Sequence, residues 1–130
     1  MSGLKLRIGV DLVNVPELAS MLQTSGPTFL DSCWTAAEQE YCNGSVSRLA
    51  ARWAAKEATM KALGQGIGDV DPVDIEVVAE EGQMPQVRLH GSAQRRAQEI
   101  GVDDLALSMS HESNLAIAFV VAHSSLDQQL

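Results

Sequence analysis

The first ordered pattern in the chain is an alternation, with Leu4, Leu6, Ile8, Val10 and Leu12 at every second position. A period of two predicts a strand over 4–13, because successive strand side chains point to opposite faces. Pro16 opens a short helix over 16–23, since proline fits a first turn whose N–H needs no partner. Residues 24–27, Thr-Ser-Gly-Pro, read as a turn. Thr35 with Glu38 three positions on is a capping-box pattern, which starts a helix running through Tyr41. Asn43-Gly44 ends it, and Ser45 or Ser47 caps the next helix, over 47–63. That segment is rich in Ala, Leu, Met, Lys, Arg and Glu, lacks Gly and Pro, and stops at Gly64. A glycine loop covers 64–68. Strands over 75–79 and 86–90 are joined by a turn at Glu81-Gly82. A helix over 92–100 closes at Gly101, and strands over 105–110 and 115–121 flank a turn at 112–114. Hairpins with a segregated helical layer predict an α+β domain over 1–123, with a polar tail over 124–130.

Composition narrows the function classes. The 130 residues suit one domain, and no apolar run approaches the ~20 residues of a membrane span. Residues 1–9 do not read as a signal peptide. Cys33 and Cys42 have no second pair, which fits neither a disulfide framework nor a zinc site, so free thiols in a reducing cytoplasm are expected. The net charge of −8 argues against a general nucleic-acid binder. Its distribution is uneven. Arg48, Arg52, Lys56 and Lys61 accompany one acid, Glu57, so that stretch is positive, while the remaining five basic residues face sixteen acids. A local anion site has this form.

Three constellations carry candidate chemistry. Asp11 stands in the apolar strand beside Gly9. A carboxylate there is unfavourable unless paired, metal-bound or at the strand end, and glycine permits a close backbone approach. On the long helix, Glu57 and Lys61 are four apart and share a face, while Arg48, Arg52 and Lys56 form a second ladder. Asp11 and Glu57 together would suit Mg²⁺, which takes one or two carboxylates and completes its shell with water and phosphate oxygens. Lys61, with Arg52 or Lys56, would then hold the remaining charge of a diphosphate. The glycines of the following loop, Gly64 and Gly66 among them, offer free backbone N–H groups. Ser108, Ser110 and His111, at a strand end, bring hydroxyl and imidazole donors suited to phosphate. A solvated Glu–Lys pair and an ordinary turn histidine are the plainer alternatives for the last two.

Taken in order, these pieces resemble the holo-acyl-carrier-protein synthase family of 4′-phosphopantetheinyl transferases. The resemblance runs from Ile8-Gly9-Val10-Asp11 through Phe29, Thr35 and Glu38. It continues through the helix motif from Trp53-Ala54-Ala55-Lys56-Glu57-Ala58 to Lys61 and Gly64, then Asp74-Ile75-Glu76-Val77-Val78, and ends at Ser108, Ser110 and His111. It implies the family fold, an antiparallel sheet packed on a long central helix in a trimer-forming domain. It implies Mg²⁺ on Asp11 and Glu57, a coenzyme A diphosphate held by that ion with Lys61, and further contacts from Arg52, the loop at Gly64 and Gly66, Ser110 and His111. The implied reaction is attack of a carrier-protein serine on the β-phosphate of coenzyme A, releasing 3′,5′-adenosine bisphosphate. Lys61 is then a general-acid candidate, with a metal-bound water, Asp11 or Glu57 as base. The implied assembly is a homotrimer with interface active sites in the cytoplasm.

One feature departs from the family pattern. The carrier-docking helix is usually basic, yet 16–23 has no Lys or Arg, and Glu17 stands where Arg is common. Like charges weaken encounter, so the expected partner is a carrier domain within a multidomain fatty acid or polyketide synthase rather than an acidic free carrier. The rival readings are another Mg²⁺-dependent nucleotide-diphosphate hydrolase and a non-catalytic coenzyme A-binding or assembly module.

Overall fold

The computed structural model describes residues 5–124 apart from positions 67 and 81. Strand β1 (Leu6–Asn14) leads into helix α1 (Val15–Cys33), capped by the Asn14 side chain accepting from the Glu17 N–H at 2.9 Å. The expected helix over 16–23 is therefore longer than its pattern indicated. At the anticipated turn the chain only kinks, through Gly26 at φ 68°. Pro27 then opens a second helical piece, where its absent N–H is no loss. Helix α2 (Ala36–Cys42) carries the capping box at Thr35 and Glu38 and ends at left-handed Asn43. Helix α3 (Val46–Leu63) is capped by Ser45 and terminated by left-handed Gly64.

The hairpin β2 (Ile75–Val78) and β3 (Gln86–Leu89), helix α4 (Gly91–Glu99), and the long hairpin β4 (Val102–Glu112) and β5 (Leu115–Ser124) complete the chain. The main antiparallel sheet has the order β1-β5-β4, and β2-β3 form a separate pair. Ser124, assigned to the tail by its composition, is the last residue of β5, and its N–H donates to the Lys5 carbonyl. The rest of the expected tail, Leu4 of the first strand, Ile67 of the loop and Glu81 of the turn lie outside the described residues.

Helix α3 crosses one face of the main sheet. Its buried alanines (Ala51, Ala54, Ala55, Ala58 and Ala62) meet Ala116, Ala118, Val120 and Ala122 of β5 in one core. Small residues on both sides let helix and strand approach closely. Gly9 marks the limit of that approach: a Cβ there would sit 1.9 Å from the Ala58 carbonyl oxygen, so the strand crosses the helix only where it has no side chain.

The alternation in β1 therefore has an unexpected sense. Leu6, Ile8, Val10 and Leu12 face away from the helix and are 46–64% exposed, whereas Arg7, Gly9, Asp11 and Val13 face it. Leu115, Ile117 and Phe119 of β5 extend the uncovered apolar face. Periodicity identified the strand but not which side would meet the helix.

Lys56 is the clearest correction to the sequence expectation. Proposed from the helical ladder as a phosphate ligand, it is fully buried. Its ammonium donates to Glu38 at 2.7 Å and to the carbonyls of Pro72 and Ile75, so all three N–H donors are occupied inside the protein. Burial pushes its pKa down, against the pull of Glu38. Glu38 in turn accepts from the N–H groups of Thr35 and Val77. The pair joins α2, α3 and β2, and it is absent from any surface an anion could reach.

Candidate active site

Strand β1 turns Asp11 toward α3, and α3 turns Glu57 and Lys61, one turn apart, toward the strand. The Lys61 ammonium donates to the Val10 carbonyl at 2.9 Å and to Asp11 Oδ1 at 3.1 Å. Asp11 is nearly covered, its side chain 11% exposed, while the Lys61 side chain is 58% exposed to solvent. The other Asp11 oxygen, Oδ2, is buried and receives no hydrogen bond from the described residues.

Glu57 is half-buried beside this carboxylate. Burial, reinforced by the hydrogen bond and charge of Asp11, pushes its pKa up to about 7, against opposing contributions from Lys61 and Trp53. Two adjoining acids disfavour joint ionisation unless a positive charge lies between them. A divalent ion would supply that charge, and the unpartnered Oδ2 is a ligand atom in want of one. The donor set, carboxylate oxygens with an open side, suits a hard cation of the Mg²⁺ type.

The other expected site residues divide into separate places. Arg52 and His111 are brought together: both line a cavity of about 220 Å³ with Tyr41, Arg48 and Met109. Arg52 is 95% buried, its guanidinium 4.6 Å over the Tyr41 ring, with Nε unpartnered among the described residues. Ser110 follows the opposite alternation on β4. It is exposed on the uncovered sheet face and lines a second cavity with Leu12 and Ile117, which His111 also reaches. Gly64 and Gly66 lie beyond the C-terminus of α3, and Gly64 is at φ 71°.

Several residues at these places were not among the sequence candidates. Arg7 and Arg96 donate to the Ala62 and Leu63 carbonyls at 2.6 and 2.9 Å, and their guanidinium ends crowd Gly64. Helix-terminal carbonyls attract cations, but nothing in sequence ties Arg7 or Arg96 to position 64. Tyr41 was legible only as the end of α2. Arg48 was seen as a rung of the basic ladder, although its ring contact, 5.5 Å over Tyr41, was not.

Comparison with known proteins gives the chain its relatives. The model of the 4′-phosphopantetheinyl transferase superfamily matches residues 7–120. The chain is 42% identical over 120 residues to a holo-[acyl-carrier-protein] synthase of Herpetosiphon aurantiacus, covering 87% of this chain and 94% of that one. It is 36% identical over 121 residues to part of the fatty acid synthase subunit alpha of Schizosaccharomyces pombe, 89% of this chain but 6% of that subunit. The crystal structure of Helicobacter pylori holo-[acyl-carrier-protein] synthase in complex with coenzyme A superposes with a TM-score of 0.80 at 28% identity, over 88% of this chain and 98% of that one.

Proposed function

Because the chain belongs to the 4′-phosphopantetheinyl transferase superfamily, we propose that Asp11 and Glu57 hold its divalent cation and that Lys61 secures the diphosphate beside it. The enzyme is a holo-[acyl-carrier-protein] synthase: it transfers 4′-phosphopantetheine from coenzyme A to a serine of an apo acyl carrier protein or carrier domain. The observation that supports the site assignment is the juxtaposition of the two carboxyl groups, one with a buried oxygen lacking a donor among the described residues.

Phosphoryl transfer depends on positioning and charge neutralisation more than on covalent chemistry. When bound, Mg²⁺ supplies the positive charge that neutralises the diphosphate. Asp11 and Glu57 fix where that charge sits. Lys61, mostly exposed yet anchored to Val10 and Asp11, can swing its ammonium to the leaving phosphate and donate a proton there. Arg52 and His111 line the cavity that takes a further anionic part of coenzyme A, and Gly66, with nothing within 4 Å of where a Cβ would stand, leaves room for its chain. A parent enzyme should add the pantetheine arm to a carrier serine, read as a mass increase of the intact carrier. Release of phosphate without that increase would instead favour a hydrolase, and tight coenzyme A binding without turnover a binding module.

The assembly in this reading is a homotrimer joined through the apolar sheet face of β1 and β5. A monomeric domain rarely exposes so contiguous an apolar patch. Ser110, on that face, then belongs to a site completed by a neighbouring copy. Ile8→Asp, which puts a charge into the centre of the patch, should shift sedimentation to the monomer and lower activity roughly 100-fold. A parent chain that is monomeric and fully active would refute the trimer. Buried free Cys33 and Cys42, together with the absence among described residues of any helix able to cross a membrane, suit a cytoplasmic enzyme.

The carrier's nature follows from charge. Glu17, with Leu18 and Met21 of α1, lines a groove of about 170 Å³ that also contains Glu57, and α1 has no basic residue. A carrier docking here meets apolar and acidic groups, which disfavours a strongly acidic partner. The stretch similar to this chain within a fatty acid synthase subunit supports a carrier domain of a larger synthase. Glu17→Lys should raise kcat/KM toward an acidic free carrier by roughly tenfold at low salt, with the gain fading as salt screens it. An unchanged rate at low salt would remove Glu17 from the docking surface.

A further inference from the structure

We propose that Tyr41 is a positioning residue for the coenzyme: its ring gathers the Arg48 and Arg52 guanidiniums into a paired clamp for a doubly charged phosphate monoester. This inference rests on the reading above that the cavity of Arg52 and His111 takes an anionic part of coenzyme A. It adds which part that is and which residue shapes the clamp.

Tyr41 is the penultimate residue of α2, while Arg48 and Arg52 stand one turn apart on α3 and so share a helix face. All three line the cavity, together with Glu80 and His111. The guanidinium carbon of Arg52 is 4.6 Å from the centroid of the Tyr41 ring, and that of Arg48 is 5.5 Å from it. Backbone carbonyls tether both arginines as well. Arg48 Nη1 donates to the Tyr41 carbonyl and Arg52 Nη1 to the Arg48 carbonyl, each at 3.4 Å. Among the described residues neither arginine forms an ion pair, with Glu80 or any other acid. Arg52 is nevertheless 95% buried, and its Nε has no partner there.

Two guanidiniums held at one ring repel each other, and a buried one without an anion is unfavourable. The electron-rich ring face offsets part of that repulsion and keeps both side chains near one position. Ordering them beforehand spares the coenzyme the entropy of immobilising two long side chains. The charge left uncompensated is that of both arginines, the complement of a phosphate monoester, whose oxygens match guanidinium forks. The diphosphate of coenzyme A is already assigned to the cation and Lys61. The group that remains is the 3′-phosphate, which departs in the released bisphosphate.

The test removes the ring and then restores it without the hydroxyl. Coenzyme A and 3′-dephospho-coenzyme A are titrated by calorimetry into the parent chain, Tyr41→Leu and Tyr41→Phe, with kcat and the thermal midpoint recorded for each protein. Tyr41→Leu should raise the Kd for coenzyme A roughly tenfold, with kcat at saturating coenzyme A within about twofold of the parent. Tyr41→Phe should recover most of that affinity, because the contact needs the ring face. The dephospho form should bind the parent and Tyr41→Leu alike. Parent-like binding of coenzyme A by Tyr41→Leu would overturn the proposal. So would a Tyr41→Phe protein as weak as Tyr41→Leu, or an equal loss of affinity for both ligands, which marks a merely structural effect. Arg52→Gln separates this inference from the reading beneath it, and Arg48→Gln, at an exposed position, takes its place if the buried substitution prevents folding. If the arginine variant binds coenzyme A as the parent does, the cavity is misassigned and the Tyr41 proposal falls with it. If it binds more weakly while Tyr41→Leu does not, only the Tyr41 proposal fails.

Discussion

Alanine in place of Asp11 or Glu57 should lower carrier modification by about 10³-fold, with coenzyme A binding weakened far less. Losing a ligand removes several kcal/mol of stabilisation of the charge that develops on the diphosphate, and each 1.36 kcal/mol is tenfold in rate. The two substitutions should not add. Once either carboxylate is gone the ion is lost, so the double variant should be no slower than the worse single one. Mass spectrometry of the carrier over a time course reads this directly. A single variant retaining more than about a tenth of the parent rate at saturating Mg²⁺ would show that the pair is not the metal site. The same chemistry sets a pH dependence. With its pKa near 7, Glu57 holds a proton below that value, and the proton occupies the place of the ion. Apparent Mg²⁺ affinity should therefore fall as pH drops through 7 and level off above it. Glu57→Gln, which cannot ionise, should abolish that dependence together with activity.

Lys56→Met should destabilise the fold by about 3–5 kcal/mol, the range for breaking a buried ion pair from one side, and lower the thermal midpoint by roughly 10–20 °C. Methionine occupies the lysine stem's space but leaves Glu38 buried without its cation and takes the ammonium donor from the Pro72 and Ile75 carbonyls, of which Pro72 keeps only the Ile75 N–H. Thr35 and Val77 would still donate to Glu38, so part of the network survives. The KM for coenzyme A in the fraction that folds should stay within about twofold of the parent. A raised KM with an unchanged midpoint would restore Lys56 to the phosphate site, contrary to its burial. This contrast separates two residues that look alike in sequence. Lys56 and Lys61 are both basic positions of one helix, yet the first anchors the core and the second reaches the site.

Much of this was legible beforehand. Capping at Thr35 and Glu38, the stop at Gly64 and the period of two in β1 are local rules, enforced by hydrogen bonds within a few residues. That Asp11 and Glu57 would come together was expected only if the first strand packed on the long helix, and it does, through Gly9. The helix kinked at Gly26 was missed because Ser-Gly-Pro marks a break without saying that the helix resumes.

The chain's local chemistry determined most of the elements and their order. Tertiary packing alone decided which face of β1 meets α3, that Lys56 points inward while Lys61 points out, and that His111 lines one cavity with Arg52 and another with Ser110. The physical reason is that a helix presents its residues all around, and a strand on both sides. Which of those directions becomes interior depends on where another element can come close, and here that is set by the contact of Gly9 with the Ala58 backbone.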